Sequence, residues 1–264
     1  MPASALQHYL VRWDLAPDGE PFVTGTSTLL PVKAGDRPAM LKIAQSPEEE
    51  RGGQLMACWG GDGLAPVLAH EGKALLLARA EGADLAVLAR SGRDEEATAI
   101  LCAVAAKLHS RSAPSALLVP LERWFADLEQ AAVRGGLFAS AAETARDLLS
   151  GDGEFAALHG DLHHGNVLHF DRWRAIDPKG LLGDRAFDYV NILRNPDAAT
   201  ATQAGRFERQ AIRIAREAKL DVRRLLQWAV AFFGLSAAWQ LEEGGMPELD
   251  LALAARALAM LEQV

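Results

Sequence analysis

The chain has 264 residues, half of them apolar, and a formal charge of −8. That apolar share suffices for one large domain or for two lobes around a cleft. The acidic balance, with Lys and Arg scattered, excludes the basic footprint that nucleic-acid binding requires, and no stretch approaches the roughly 20 apolar residues of a membrane span.

The opening segment MPASALQHYLVRWDLAPDG lacks the long apolar run behind a basic start that marks a secretory leader. Cys58 and Cys102 form no C-x-x-C pair and no disulfide framework, so both read as small core residues of a cytoplasmic protein. From Phe22 to Ala44 the text reads strand, polar turn TGTST, strand, turn KAGDRP, strand. PEEERGGQLMACWGGDG reads as one helix: Pro47 suits its first turn, carboxylates crowd its positive end, and glycines after Trp59 stop it. Gly52 and Gly53 inside it are locally unfavourable. Two more strands flank the turn HEGK. After Gly82 the apolar spacing becomes three and four, through DEEATAILCAVAAKLHS, LERWFADLEQAAVRGG and AAETARDLLSGDG. Residues 158–180 turn short and strand-like, and three long helical segments close the chain. The reading is a small β-rich part with one helix, residues 1–82, joined without a linker to a larger α-rich part, residues 83–264, which carries most of the net negative charge.

The chemistry concentrates in LHGDLHHGNVL, residues 158–168. Phosphoryl transfer needs a carboxylate to orient or deprotonate the attacking hydroxyl, and oxygen ligands that hold Mg²⁺ against the phosphates. H-x-D-x-x-x-x-N supplies both, with Asp161 as the base and Asn166 as a neutral metal ligand. Asp177, in AIDPKG, ends a short apolar strand and would add a second ligand. Lys42 interrupts the apolar strand AMLKIA and would pair nucleotide phosphates, held by a helix carboxylate. Glu50 is the choice for that carboxylate, with Glu48 and Glu49 open because one sequence does not fix the helical phase. TGTST, including Thr26 and Ser27, would cover the phosphates. His159, His163, His164 and His169 raise the alternative of a zinc hydrolase, but Gly160 and Gly165 break any regular metal-ligand spacing. His159 instead reads as a brace of the loop.

Taken together, HGDLHHGNVL, AIDPKGLLGD, AFDYVNILRNP and AMLKIA resemble the aminoglycoside/hydroxyurea antibiotic resistance kinases from about residue 12 to the final helices. The resemblance implies an α+β, bilobal protein-kinase-like fold, with a small β-rich N-lobe, a larger helical C-lobe and ATP with Mg²⁺ bound between them. It implies Asp161 as catalytic base, Asn166 and Asp177 on the metal, and Lys42 on the ATP phosphates. It further suggests adenine contacts from the backbone of Arg79, Ala80 and Glu81, and places Lys179 of D-P-K-G near the transferred phosphate. Asp184, Asp188 and Asn191 are expected to stabilise the turn and helix that follow, and the helices carrying Trp228, Trp239, Glu242 and Glu243 lie where such kinases bind the acceptor. The expected acceptor is a small molecule with a hydroxyl, streptomycin-like or hydroxyurea. Another metabolite or sugar, and a catalytically silent nucleotide-binding module, are the alternatives. The oligomeric state is left open.

Overall fold

In the computed structural model, which describes residues 2–61, 63–82 and 84–264, helix α1 (Pro2–Arg12) leads into strands β1 (Leu15–Pro17), β2 (Phe22–Val23), β3 (Ser27–Ala34) and β4 (Arg37–Ala44). Helix α2 (Pro47–Trp59) follows, then β5 (Val67–Glu71) and β6 (Ala74–Ala78). The strands form one antiparallel sheet in the order β1-β3-β4-β6-β5, with β2 added on β3. Strand alternation divides its faces. Ala39, Leu41 and Ile43 of β4 join Leu30, Val32 and Leu76 in a small core closed by Leu6 of α1, with Tyr9, Leu10 and Trp13 packed partly against it. Lys42, one position out of phase, faces α2 instead. The N-lobe therefore has two helices, not the one expected. The apolar residues of α1 recur at three and four, and they cover the sheet face that α2 leaves open.

Helix α2 begins where Ser46 caps it, accepting from the Glu49 backbone N–H at 3.2 Å. Gly52, unfavourable as a local choice, is required by packing: a Cβ there would run into the Pro178 carbonyl. Leu55, Met56 and Trp59 on the same helix enter the main core, which is continuous with the C-lobe. Cys58 is exposed on the other side, correcting the expectation of a core residue, whereas Cys102 is buried.

The C-lobe starts with α3 (Leu85–Leu88), a kinked segment at Ala89–Arg93 in which Gly92 has φ 87°, and α4 (Asp94–His109). Next come β7 (Val119–Pro120), α5 (Leu121–Trp124), α6 (Ala126–Ala131) and α7 (Leu137–Ser150). Then follow β8 (Phe155–Leu158), β9 (Val167–His169), β10 (Trp173–Ala175) and β11 (Leu181–Asp184). The chain ends with α8 (Val190–Arg194), α9 (Ala198–Ala201), α10 (Arg206–Ala218), α11 (Val222–Glu242) and α12 (Glu248–Leu261). Strands β9 and β10 make a hairpin, and β7-β11-β8 a small sheet. The single helix expected over LERWFADLEQAAVRGG is broken at Phe125, whose ring enters the core against Phe187 and Trp228, at centroid distances of 6.0 and 5.7 Å.

The result is the bilobal α+β architecture that the sequence resemblance implies. The boundary read between residues 82 and 83 falls on Ala83, which lies outside the described residues. Among the described residues, no helix is long and apolar enough to cross a membrane.

Candidate active site

Lys42 sits mid-sheet, paired in register with Leu29 and Leu75, and is only 6% exposed. A lysine so buried must be paired. Its Nζ makes close ion pairs with Glu49 of α2 and with Asp177. This corrects the choice of Glu50: the Ser46 cap makes Glu49 the third helical residue and turns it inward, while the Glu50 carboxylate makes no ion pair among the described residues. Glu49 also accepts from Ser27 Oγ and Lys179 Nζ, each at 3.2 Å, and Lys179 reaches Glu48 at 2.9 Å. Burial alone would raise the Glu49 carboxyl, but the charges and hydrogen bonds of Lys42 and Lys179 outweigh it and hold it at about 2. Burial likewise opposes the charge on Lys179, yet Glu48, Glu49 and Asp161 together raise its pKa above the ordinary lysine value.

The turn before β3 is closed by Thr24 N–H donating to the Ser27 carbonyl at 2.9 Å. Thr26 is exposed at its tip, whereas the Ser27 hydroxyl is buried against Glu49, so Ser27 braces the ion-pair network rather than opening toward phosphates. Past β6, the Arg79 N–H donates to the Pro38 carbonyl at 3.2 Å and the Glu81 and Gly82 N–H groups to that of His169 at 3.2 and 3.3 Å. The Arg79 guanidinium is held by Asp18 at 2.6 Å. Of the three residues expected at adenine, Ala80 alone keeps an N–H that no other described residue takes.

The loop that carries Asp161 is braced from beneath. The backbone N–H groups of His159 and Gly160 donate to the two oxygens of Asp188 at 2.8 and 2.7 Å. His159 Nδ1 accepts from the Asp161 N–H at 3.2 Å, so the proton lies on Nε2, which donates to the Ile176 carbonyl at 2.8 Å. Burial holds His159 neutral against the pull of Asp188 and Asp161, lowering its pKa. Gly160 has φ +86°, and a Cβ there would press on Leu181 and Lys179. His163 Nδ1 accepts from the Gly165 N–H at 3.0 Å. His164 is fully buried, and burial with the nearby Arg206 charge lowers it to about 4.

Asp161 is fixed by two amides. Asn166 Nδ2 donates to its carbonyl at 2.9 Å and its Oδ2 at 3.3 Å, and Asn191 Nδ2 donates to its Oδ1 at 2.7 Å. Asn191 was expected to support the following turn and helix; it reaches the Asp161 carboxylate. Asp184 does serve its own turn, accepting from the Ala186 N–H at 3.0 Å and Trp228 Nε1 at 2.8 Å. The β9–β10 hairpin brings Asn166 and Asp177 together, with the Ile176 N–H donating to the Asn166 carbonyl at 2.9 Å. Asp177 itself has φ 58°, a left-handed conformation that Asp tolerates better than most residues.

With its nitrogen committed to Asp161, the Asn166 amide leaves its oxygen for a cation, and Asp177 adds a carboxylate. This sparse, hard-oxygen donor set fits Mg²⁺ completed by phosphate oxygens and water. Among the described residues no group of three or more His, Cys, Asp or Glu side chains could hold a metal ion by itself.

Asp161 and Lys179 line a cavity of about 460 Å³ together with Trp124, Asp127 and Trp239 of the C-lobe and Glu48 of α2. Trp239 Nε1 donates to Asp127 at 2.8 Å, and its ring meets Trp124 edge-on at 5.3 Å. A second cavity of about 490 Å³ shares Arg194, Ser236 and Trp239 with the first and extends to Glu243 and Leu249. Trp228 belongs to the core instead. Trp124 and Asp127 carry no motif, and Arg194 falls within AFDYVNILRNP without a role read for it, so these cavity residues escaped the sequence reading.

The aminoglycoside/hydroxyurea antibiotic resistance kinase family matches this chain over residues 12–244. A streptomycin 3''-kinase of Klebsiella pneumoniae is 48% identical over 264 residues, covering 95% of this chain and 99% of that protein. A streptomycin 6-kinase of Streptomyces griseus is 32% identical over 252 residues, 88% of this chain and 81% of its own. Among solved structures, a thermostable mutant of aminoglycoside phosphotransferase APH(4)-Ia, in ternary complex with ADP and hygromycin B, superposes with a TM-score of 0.65 at 15% identity, covering 98% of this chain and 97% of that one. The extent of these matches, on a chain that brings Lys42, Asp161, Asn166 and Asp177 to one cleft, places the protein in the aminoglycoside/hydroxyurea antibiotic resistance kinase family.

Proposed function

We propose that the protein transfers the γ-phosphoryl group of ATP to a hydroxyl of streptomycin, at the 3'' position. The observation that carries this reading is the single-sided placement of Asp161: its carboxylate opens into the cavity of about 460 Å³ walled by two tryptophans and Asp127. Aromatic faces beside a carboxylate suit a cationic guanidinium-bearing acceptor. The 48% identity to a streptomycin 3''-kinase, against 32% to a 6-kinase, favours the 3'' position.

In this reading Asp161 accepts the proton of the attacking hydroxyl as the bond to phosphorus forms. Lys42 holds the nucleotide phosphates, kept in place by Glu49, and Lys179 in the cavity lining lies beside the group in transfer. Ala80 offers its N–H to adenine and Thr26 lies at the tip of the covering turn. Asn166 and Asp177 would hold Mg²⁺, which when bound supplies neutralisation of phosphate charge. A diffusible acceptor and ATP as donor accord with a cytoplasmic enzyme.

The test is turnover of ATP with Mg²⁺ in the presence of streptomycin or hydroxyurea, with the product of streptomycin located by phosphorus–proton NMR correlation. Phosphate on the 3'' oxygen is expected. Transfer to hydroxyurea alone, or to the 6 position, would overturn the acceptor assignment.

A further inference from the structure

We propose that Asn191 is a positioning residue that aims the Asp161 carboxylate at the acceptor hydroxyl, and that Asn195 and Arg206 lock it in that orientation. The inference rests on the kinase reading above. A carboxylate anchored through one oxygen still swings about its last torsion, and attack in line with the phosphoryl group requires that swing to be arrested. The stronger anchor is Asn191, at 2.7 Å from Oδ1; the Asn166 contact to Oδ2 is longer, at 3.3 Å.

The direction of the Asn191 amide is set by its neighbours. Asn195 Nδ2 donates to the Asn191 carbonyl at 2.9 Å, an atom that only accepts, and the same nitrogen reaches Asn191 Oδ1 at 3.1 Å. The Asn191 oxygen thus faces Asn195, and its nitrogen has to face Asp161. Asn195 is anchored in turn: its carbonyl accepts from Arg206 Nη2 at 2.8 Å, and Arg206 Nη1 donates to the Leu193 carbonyl at 3.0 Å. The remaining donors of Arg206 grip Asp94 at the start of α4, at 2.7 and 2.9 Å. Asn191 is 5% exposed and Arg206 2%, so two links of the chain are buried, while Asn195 between them is half-buried at the edge of the second cavity. An amide holds a carboxylate without the full positive charge that would weaken it as a base.

A double-mutant cycle separates aiming from mere structural support. Asn191→Leu keeps the shape and removes the donor. It is introduced into the full-length wild-type chain and into Asp161→Asn, and ADP release is followed with and without streptomycin. The expected result in the wild-type background is a fall in kcat of about 10- to 100-fold, with KM for ATP and for streptomycin unchanged within about twofold. In the Asp161→Asn background the same change should alter residual turnover less than about twofold. Unaltered kcat, or an equal loss in both backgrounds, overturns the proposal. If thermal melting shows that Asn191→Leu does not fold, Asn195→Ala enters the same cycle with an expected loss of about 3- to 10-fold. Wild-type turnover that streptomycin does not stimulate would sink the acceptor assignment alone. The cycle is then read on ATP hydrolysis with water as acceptor.

Discussion

Around Lys42 the cleft is built from full charges of alternating sign, running Asp177, Lys42, Glu49, Lys179, Glu48. At the Asp161 carboxylate the hydrogen bonds come from neutral groups, the amides of Asn166 and Asn191, with the His163 imidazole at 3.8 Å and the Lys179 ammonium alongside. Under the proposed function the contrast follows from what each side must do. Ion pairs that point into a cleft are exchangeable, so Lys42 and Lys179 can pass from carboxylates to phosphates with little change in local charge. A general base has to keep its own charge available, and amides orient it without neutralising it.

The sharpest way to break this comparison is Asp161→Asn, which keeps the hydrogen-bonding shape and removes the base. Transfer to streptomycin should fall about 1,000-fold or more, with nucleotide affinity kept, as isothermal titration with an ATP analogue and Mg²⁺ would show. Turnover retained within tenfold would remove Asp161 from the base role.

Acid should separate the two sides by their pH windows. The His164 pKa of about 4 lies below the ordinary value of 6.5, so the unfolded chain binds its proton first and the folded state is favoured only while the ring stays neutral. Its contribution is complete above pH 6.5 and is lost as pH falls from 6.5 through 4, amounting to about 2 kcal/mol by pH 5. His159 and His163, also lowered by burial, add in the same direction. Glu49 works in a more acid range, its contribution being present above 4.5 and lost as pH falls toward about 2. Urea melts at pH 7.5 and 5 should show the loss, and His164→Gln should flatten it; equal midpoints for the wild type at both pH values would contradict this account.

Two smaller effects sharpen the ionic side. Glu49→Gln is expected to cut kcat/KM for ATP about 30-fold while Glu50→Gln stays within about twofold, since only Glu49 reaches Lys42. Gly52→Ala should cost about tenfold by pushing α2 away from Pro178 and slackening the same network. Initial rates at varied ATP check both; a larger loss for Glu50→Gln than for Glu49→Gln would reverse the assignment.

These outcomes also bear on what a sequence discloses. Asp161, Asn166 and Asp177 were legible because short loops and a hairpin bring them together within one stretch of chain. Lys42 was legible because a lysine among strand aliphatics has to be paired. The error over Glu50 was avoidable: Leu55, Met56 and Trp59 define the inner face of α2, and Glu49 lies seven residues before Met56 on that face, three after the Ser46 cap. Helix α1 was likewise visible in the spacing of Leu6, Tyr9, Leu10 and Trp13. Asn191 falls within AFDYVNILRNP, but no local pattern announces its reach to Asp161, 30 positions away, which comes only through the packing of α8. The cavity walls are equally hidden, because the break at Phe125 that leaves Trp124 packed at the core's edge against Phe187 is decided by tertiary contacts of Phe125 with Phe187 and Trp228.

Trp239, Arg194 and Ser236 border both cavities, one opening on Asp161 and the other running on to Leu249. Under the proposed function, a synthetic blocker broad enough to straddle that shared border would occupy the acceptor's seat and leave the nucleotide side of the cleft alone. Its selectivity would then owe nothing to discrimination among the many ATP-using enzymes of a host cell.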